Sequence, residues 1–484
     1  MDKIKGKVKA LFEYKNGELA LLYNPIFIIL IAIFVYLIWF FDAGVWGILS
    51  LGVVAGVVLV ISKDVTPIIP VLFMITQVIS EAKETFVSYP IYVTAGAIVI
   101  VTLIFNIFRY KQFASYGKVK GFCIACAFCG IAIAFGGITV TDERLPLASA
   151  VVALIGLFSV FMVFYLTSAM GKDNGKRCAK TVMYTVLLSS AVALLQMITI
   201  LLRTGDVLGA IASKYQISTG YAHPNYLANI ISRSIPIAIY LSSRNKKFSC
   251  LYLVVAFICM VGVIVTSSRG SMLMSVIVGV MSLIYFYRKV ERKTPWVCTV
   301  VALLGVTLMG IAVLGDKIED VFSKLFYLGI DSNGRFDLWR IGMQRFADHP
   351  IFGVGLDYDI GGRIDKNPTN QSYTPYWYHN TVVQIFCCFG IVGVLAFGLY
   401  FYHQYKIVIK SKISIAKAMG FVLILMQITS LVDVFFFTPQ EYLQMIVITV
   451  AILQCAENKN HYQSHIYDVI DLIEKKKKGE KQCQ

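Results

Sequence analysis

The chain has 484 residues, of which 57% are hydrophobic and only 15% are charged. This composition excludes an ordinary soluble globular protein and is typical of a chain that crosses a membrane many times. The formal net charge of +16 does not indicate a nucleic-acid partner, because the Lys and Arg residues fall in short clusters between apolar runs, as residues that set membrane orientation do.

Apolar runs that approach or reach the length of a membrane-spanning helix, about 17 to 25 residues, recur along the chain. The runs lie at residues 25–41, 44–61, 66–80, 90–108, 119–138, 147–170, 180–202, 224–242, 249–267, 270–287, 295–314, 379–402, 413–435 and 438–456. The third run contains Pro67 and Pro70 and is the weakest. The pattern therefore predicts an all-α, polytopic helical membrane protein with about 12–14 transmembrane helices.

Basic clusters occupy alternate connections when the N-terminus is placed in the cytoplasm. The positive-inside rule then predicts that both termini are cytoplasmic and that the long connection 315–378 is extracytoplasmic. The predicted parts are a cytoplasmic basic N-terminal segment, a transmembrane bundle, the extracytoplasmic loop, C-terminal transmembrane helices and a cytoplasmic basic tail. Their boundaries are 1–24, 25–314, 315–378, 379–456 and 457–484.

The outer loop 315–378 is predicted to be folded. In two of its segments apolar residues recur at helical spacing, namely Ile318, Val321, Phe322 and Leu325, and then Phe336, Trp339, Met343 and Phe346. This spacing predicts two amphipathic helices on the outer membrane surface. The segment "HPIFGVGLDYDIGG" that follows is rich in glycine and predicts a turn.

Cations and imidazoles remain on the outer side, where the orientation rule disfavours positive charge and does not explain them. They are Arg203, Arg269, Arg335 and Arg340, together with His223, His349 and His379. Arg269 lies in the short turn "TSSRGSMLM" between two spans. Its guanidinium either snorkels to the interface or binds a phosphate, for which its planar fork is suited.

The eighth span begins in "GYAHPNYLANIISRSIP" and contains a polar stripe with Asn225 near its start. Arg233 lies beside this stripe about two turns into the membrane. A charge at that depth indicates an internal cavity or a bound anion. Pairing with another polar helix is the alternative.

His379 follows the aromatic residues of "YWYHN" at the start of the next span after the loop, and Asn380 comes directly after it. The aromatic residues are typical of a membrane interface. An imidazole held there can take a proton from a hydroxyl group, because imidazole titrates near neutral pH. An interfacial packing role is the alternative for a single histidine.

No metal or cofactor site is predicted. Cys123 and Cys126 form a C-x-x-C pair inside an apolar run, without a second pair or a nearby histidine, and this favours membrane packing. Asp357, Asp359 and Asp365 lie in the glycine-rich part of the outer loop, where turn and solvation roles are favoured.

Three stretches together resemble the O-antigen ligase and polymerase family of bacterial membrane glycosyltransferases. They are "HPNYLAN", "SSRGS", and "GRFDLWRIGMQRFADHPIFGVG" followed by "HN" at the next span. The resemblance covers roughly residues 200 to 400. It implies a donor glycan on undecaprenyl pyrophosphate at the outer face, and an acceptor that is lipid A core for ligases or another lipid-linked repeat unit for polymerases.

The resemblance also implies roles for individual residues. His379 corresponds to the base that acts on the acceptor hydroxyl, and Arg269 and Arg335 correspond to arginines that bind the pyrophosphate. Arg203 matches a further family arginine more loosely, and we add Arg233 because of its depth. Residues in supporting positions are Asn380, Asn225, His223, Arg340 and His349.

These observations predict a metal-independent, inverting glycosyltransferase of the bacterial cytoplasmic membrane. Fixed guanidinium groups can stabilise a departing pyrophosphate without a metal. We favour polymerisation of surface polysaccharide repeat units, with ligation to lipid A core as the alternative. A flippase is a second alternative, but flippases show repeated halves and polar residues on both faces, and the unusual polar residues here gather on one side. A purely structural membrane partner would not need a folded outer loop.

Overall fold

The computed structural model describes residues 12–15, 18–78, 89–112, 120–140, 146–171, 174–205, 209, 211, 224–326, 335–356, 378–433 and 435–457. Its helices, in chain order, are α1 (Pro25–Phe40), α2 (Gly44–Ile61), α3 (Ile69–Met74), α4 (Tyr89–Tyr110), α5 (Lys120–Phe135), α6 (Pro146–Ala169), α7 (Gly175–Thr204), α8 (Pro224–Ser232), α9 (Ser234–Arg244), α10 (Ser249–Val265), α11 (Arg269–Tyr287), α12 (Lys293–Phe326), α13 (Arg335–Asp348), α14 (Thr381–Lys410), α15 (Ser414–Thr429) and α16 (Pro439–Glu457).

Short elements complete the described chain. Strands β1 (Tyr14–Lys15) and β2 (Glu18–Leu19) pair antiparallel ahead of α1, with Tyr14 opposite Leu19. Short 3-10 helices cover Ala20–Tyr23, Thr66–Ile68, Ile75–Val78 and Phe435–Phe437.

The helices confirm the predicted fold class of a polytopic helical membrane protein. Seven are long and apolar enough to cross a bilayer: α2, α7, α11, α14 and the apolar parts of α4, α6 and α12. Six further apolar helical segments are shorter, and α8 and α9 share the remaining predicted run. Among the described residues, every predicted apolar run contains helix, because a backbone in lipid must satisfy its polar groups within the segment. The exact number of spans stays a prediction.

The core lies around α16. Every residue from Met445 to Ile452 is at most 1% exposed. The helix packs against α7, α15 and α6. A helix that is buried on all sides belongs at the centre of a bundle. By contrast, the membrane part of α12 is mostly exposed on the outside of the bundle.

The structure differs from the prediction between the bundle and the outer loop. We expected a span ending near residue 314 and a separate amphipathic helix after it, but α12 runs without a break from Lys293 to Phe326. No proline follows Pro295 within this helix, so nothing stops its propagation. The second expected amphipathic helix is present as α13. The three loop aspartates, the basic tail after residue 457 and most of the basic N-terminal segment lie outside the described residues.

Helix α14 is broken where a segment of the outer loop meets it. Gly390 has φ 61° and ψ −154°, so the normal hydrogen bonds of the helix are interrupted there. Residues 350–355 replace those bonds. The N–H groups of Val354 and Gly355 donate to the carbonyls of Cys387 and Cys388, at 2.9 Å each. The N–H groups of residues 391 and 392 donate in turn to the carbonyls of residues 350 and 351, at 2.8 and 3.2 Å.

This exchange of backbone bonds lies roughly 10 Å along α14 from its first residue. These four bonds give partners in protein to backbone groups that the break would otherwise leave unpaired within the membrane helix. The contact joins the segment after α13 to the N-terminal half of α14. The same two helices carry predicted site residues, since Arg335 begins α13 and His379 comes just before α14.

Replacement of Gly353 by Ala is expected to loosen this contact. Gly353 has φ 64°, and an added Cβ would overlap the backbone of residues 387–389. We expect a loss of stability of about 2–4 kcal/mol, from left-handed strain and from the overlap. Thermal unfolding in detergent, followed by the labelling of buried cysteines with a thiol-reactive dye, measures the change.

Gly398→Ala is the matched control for this prediction. Gly398 lies within the same helix α14, and an added Cβ would meet nothing within 4 Å. Its unfolding temperature is expected to stay the same or to rise, because Ala has the higher helix propensity. Equal unfolding temperatures for Gly353→Ala and the unsubstituted protein would contradict the proposed role of the loop segment.

Candidate active site

The turn 430–433, which follows α15, is the place where several predicted site residues meet. Thr381 at the start of α14 donates its N–H and its hydroxyl to the carbonyl of Ser430, at 3.0 and 2.8 Å. The guanidinium of Arg335 donates to the carbonyl of Val432. Gly270 packs so closely on Val432 that an added Cβ would overlap its side chain. The turn therefore joins α11, α13 and α14.

Asp433, the last described residue of this turn, holds two of the predicted residues. Its Oδ1 lies 3.0 Å from Nδ1 of His379. Its Oδ2 accepts a hydrogen bond of 2.9 Å from the side-chain amide of Asn225, the second residue of α8. The Asp433 side chain is 12% exposed and the His379 side chain 39% exposed. The carboxylate is thus enclosed, while the imidazole is open to a substrate.

Sequence reasoning missed Asp433. It lies inside the predicted span 413–435, and a carboxylate within a predicted span was the available signal, because such residues pair with one another and mark functional sites. The partner could not be named from sequence, since 54 residues separate Asp433 from His379.

The backbone of His379 is held in an unusual conformation. Its φ is 50°, a left-handed value that costs a residue with a Cβ about 1–2 kcal/mol. Tyr378, just before it, is buried and receives a hydrogen bond of 2.9 Å on its carbonyl from the indole of Trp339. The N–H of Tyr378 donates to the side-chain carbonyl of Gln384 at 3.0 Å. These contacts fix the backbone on the N-terminal side of His379.

Asn380 fixes the other side. Its side chain caps α14 by accepting hydrogen bonds from the N–H groups of Val382 and Val383, at 2.9 and 3.2 Å. An N-cap of this kind stabilises a helix by about 1 kcal/mol. Asn380 therefore stabilises the start of α14 directly after His379.

The arrangement of His379 and Asp433 suits general base chemistry. A carboxylate accepts hydrogen bonds, so the matching neutral ring donates from Nδ1 and presents the lone pair of Nε2. A carboxylate at this distance also stabilises the imidazolium that forms when Nε2 takes a proton. The pair can therefore remove a proton from a hydroxyl group that approaches Nε2.

Arg335 contacts the turn 430–433, and Arg269 lies at the start of α11, which packs on the same turn. Arg269 is the first residue of α11 and is half-buried, and its neighbour Gly270 is the residue that packs on Val432. The first N–H groups of a helix and a guanidinium at the same end both attract anions. Arg335 uses one donor on the carbonyl of Val432, and a guanidinium has five donors.

The structure places other candidate residues away from the turn. Arg203 lies in the last turn of α7, is exposed, and stacks over the ring of Phe40 at 4.6 Å. Arg340 pairs with Asp337 on the exposed surface of α13, at 3.1 Å. His349 follows α13 and its carbonyl accepts from the N–H of Gly353 at 3.0 Å. His223 lies outside the described residues.

Arg233 has a protein partner inside the bundle. It separates α8 from α9, where Pro236 removes the hydrogen bond to the carbonyl of Ser232. Its guanidinium, 4% exposed, forms an ion pair with the 1% exposed carboxylate of Glu441 and donates to the side chain of Gln444. This geometry supports the alternative of pairing with a polar helix, so we leave Arg233 out of the phosphate site.

Replacing Glu441 with Ala is expected to destabilise the protein by about 3–5 kcal/mol, because it leaves the Arg233 guanidinium buried without a counter-charge. The double variant Arg233→Met/Glu441→Leu removes both charges and is expected to recover most of that loss. Chemical unfolding in detergent compares the two. The transfer rate of the double variant then separates the two interpretations of Arg233. Transfer is expected to persist if Arg233 only pairs with Glu441, and to fall if Arg233 binds the pyrophosphate.

Possible metal ligands do not gather in the part of the chain that the structure describes. No group of three or more His, Cys, Asp or Glu side chains that could hold an ion is found there. The expectation of a reaction without a metal stays a prediction.

A family model described as O-antigen ligase matches residues 254–398. The matched stretch runs from within α10 to within α14, and it contains Arg269, Arg335 and His379. Asn225 and Asp433, which complete the geometry around His379, lie outside it. No curated protein matches the chain.

Proposed function

We propose that this chain is a membrane glycosyltransferase of surface polysaccharide synthesis and that it moves a glycan from undecaprenyl pyrophosphate to an acceptor hydroxyl. The match of residues 254–398 to a family model described as O-antigen ligase supports this proposal. The reaction takes place on the extracytoplasmic face of the bacterial cytoplasmic membrane, and both termini of the chain are cytoplasmic. The observation that carries the proposal is the contact of His379 with Asp433 on a turn that Arg335 and the start of α11 also touch.

In the proposed step, the oxygen of the acceptor hydroxyl attacks the anomeric carbon of the donor sugar. The bond from that carbon to the pyrophosphate oxygen breaks, and the electron pair of the bond leaves with the pyrophosphate. Nε2 of His379 takes the hydroxyl proton, and Asp433 stabilises the resulting imidazolium. Attack on the face opposite to the leaving group inverts the anomeric centre.

Arg269 and the free donors of Arg335 are proposed to bind the pyrophosphate. Charge on this group grows as the sugar bond breaks, and guanidinium groups that are already fixed in place stabilise the growing charge without reorganisation. Arg335 is held by the carbonyl of Val432, and Arg269 lies in the first turn of α11 beside Gly270, which packs on the same valine. The site needs no cofactor for this chemistry.

The acceptor is proposed to be another lipid-linked repeat unit, which makes the protein a polymerase. Ligation to lipid A core is the alternative. Cells with and without the protein distinguish these functions through the glycans that remain on the undecaprenyl carrier. Loss of a polymerase leaves single repeat units on the carrier, whereas loss of a ligase leaves long chains there. Loss of all outward-facing lipid-linked glycan would instead indicate a flippase and contradict the proposal.

A further inference from the structure

Helix α13 contacts the residues that come immediately before His379 and Asp433 in the chain. Arg335 and Trp339 lie one helical turn apart and therefore on the same face. Arg335 donates to the carbonyl of Val432, the residue before Asp433. The indole N–H of Trp339 donates to the carbonyl of Tyr378, the residue before His379, at 2.9 Å. One face of one helix thus sets the backbone orientation at both positions.

Close packing surrounds the hydrogen bond between Trp339 and Tyr378. Gly342, on the next turn of α13, approaches Tyr378 and Val383 so closely that an added Cβ would overlap them. The ring of Trp339 meets the ring of Phe336 edge to face, with centroids 5.2 Å apart. The indole therefore has little freedom to leave the carbonyl that it binds.

The direction of the His379 side chain depends on this carbonyl. The peptide unit between Tyr378 and His379 carries the carbonyl that Trp339 binds, and rotation of this unit changes φ of His379. Without the indole hydrogen bond, φ can relax from 50° towards the negative values that L residues prefer. The ring would then turn away from Asp433, which lies on the separate turn 430–433.

We infer that Trp339 is a positioning residue for the transfer reaction: its indole N–H keeps His379 in the left-handed conformation that directs the imidazole to Asp433. The inference rests on the proposed function. It assigns Trp339 a role through His379, with no contact to substrate.

The test is Trp339→Phe in purified protein in liposomes, with an undecaprenyl-pyrophosphate oligosaccharide as the probe. Phenylalanine keeps an aromatic ring and removes the N–H donor. We expect kcat to fall by about 10- to 100-fold, because a misplaced catalytic group has effects of that size. KM for the lipid-linked oligosaccharide is expected to stay within about twofold, since neither residue of this contact binds pyrophosphate.

Trp296→Phe is the matched control. The indole of Trp296 is buried, whereas that of Trp339 is half-buried, and the Trp296 indole donates a hydrogen bond of 3.0 Å to the hydroxyl of Ser242 near the end of α9. Both variants lose one indole hydrogen bond, and the loss of stability is expected to be at least as large for the more deeply buried Trp296. Only Trp339→Phe is expected to lose kcat.

A second variant tests the inference even if Trp339→Phe fails to fold. Incorporation of 3-benzothienylalanine at position 339 replaces the indole N–H with sulfur and keeps the shape of the ring system. The same loss of kcat is expected. An unchanged kcat in the benzothienyl variant overturns the inference and leaves the proposed function standing. Full activity of His379→Ala, or no transfer by the unsubstituted protein, overturns the proposed function itself.

Discussion

Replacing His379 with Ala is expected to lower the rate of glycan transfer by about 10²–10⁴-fold, the range that positioned proton transfer contributes to enzyme catalysis. The imidazole is 39% exposed, and its Nδ1 is bonded to Asp433, so Nε2 is the only nitrogen left to accept a proton. Alanine at this position removes the base and leaves the capping of α14 by Asn380 in place. Expression and membrane insertion are therefore expected to persist.

His403→Ala is the matched control for this substitution. His403 lies on the same helix α14, more than twenty residues from its start and against Gly121 of α5. The release of undecaprenyl pyrophosphate from liposomes measures both variants. Transfer by His379→Ala at the rate of His403→Ala would remove His379 from the mechanism.

The second large effect is expected for Asp433→Asn, with a loss of kcat of about 10²–10⁴-fold. Asparagine keeps the shape of the side chain, but its amide can donate to Nδ1 of His379 and so favour the tautomer with the proton on Nε2. The nitrogen that faces the substrate is then blocked. Removal of the negative charge also leaves the imidazolium without its partner. Binding of the lipid-linked donor is expected to change little, because Asp433 contacts His379 and Asn225.

Asp337→Asn is the control for the loss of a carboxylate. Asp337 lies on α13, its side chain is 72% exposed, and it pairs with Arg340 at the surface. Exposed pairs of this kind contribute little to stability. A comparison of kcat and KM for the two variants separates the proposed role of Asp433 from a general effect of charge. Equal kcat values would show that the carboxylate is not needed to orient His379.

Hydropathy and glycine or proline positions predicted most of the helical framework, because the bilayer forces apolar segments into helices. They did not predict the break in α14 at Gly390 or its pairing with residues 350–355. That pairing joins segments distant in sequence through backbone groups, which leave no pattern in side-chain hydrophobicity. The continuous helix from Lys293 to Phe326 was missed because the apolar periodicity changes within it while the backbone does not.

Individual polar residues in apolar surroundings could be recognised from sequence, but their partners could not. Arg233 was identified by its depth in the predicted span, but its ion-pair partner Glu441 lies 208 residues away in the chain. His379 was identified by its place after the aromatic residues, and Asp433 gives it a defined orientation. In both cases the carboxylate comes from the last part of the chain, beyond the stretch that carries the family resemblance.

The most direct test of the proposed mechanism measures the ratio of released carrier to new glycosidic bonds in a reconstituted system. Purified protein in liposomes receives an undecaprenyl-pyrophosphate oligosaccharide, and both free undecaprenyl pyrophosphate and new glycosidic bonds are measured. The mechanism predicts one released carrier for each bond formed, with inversion at the anomeric carbon and with little of either product from His379→Ala. Retention of the anomeric configuration, or equal product from His379→Ala, would contradict it.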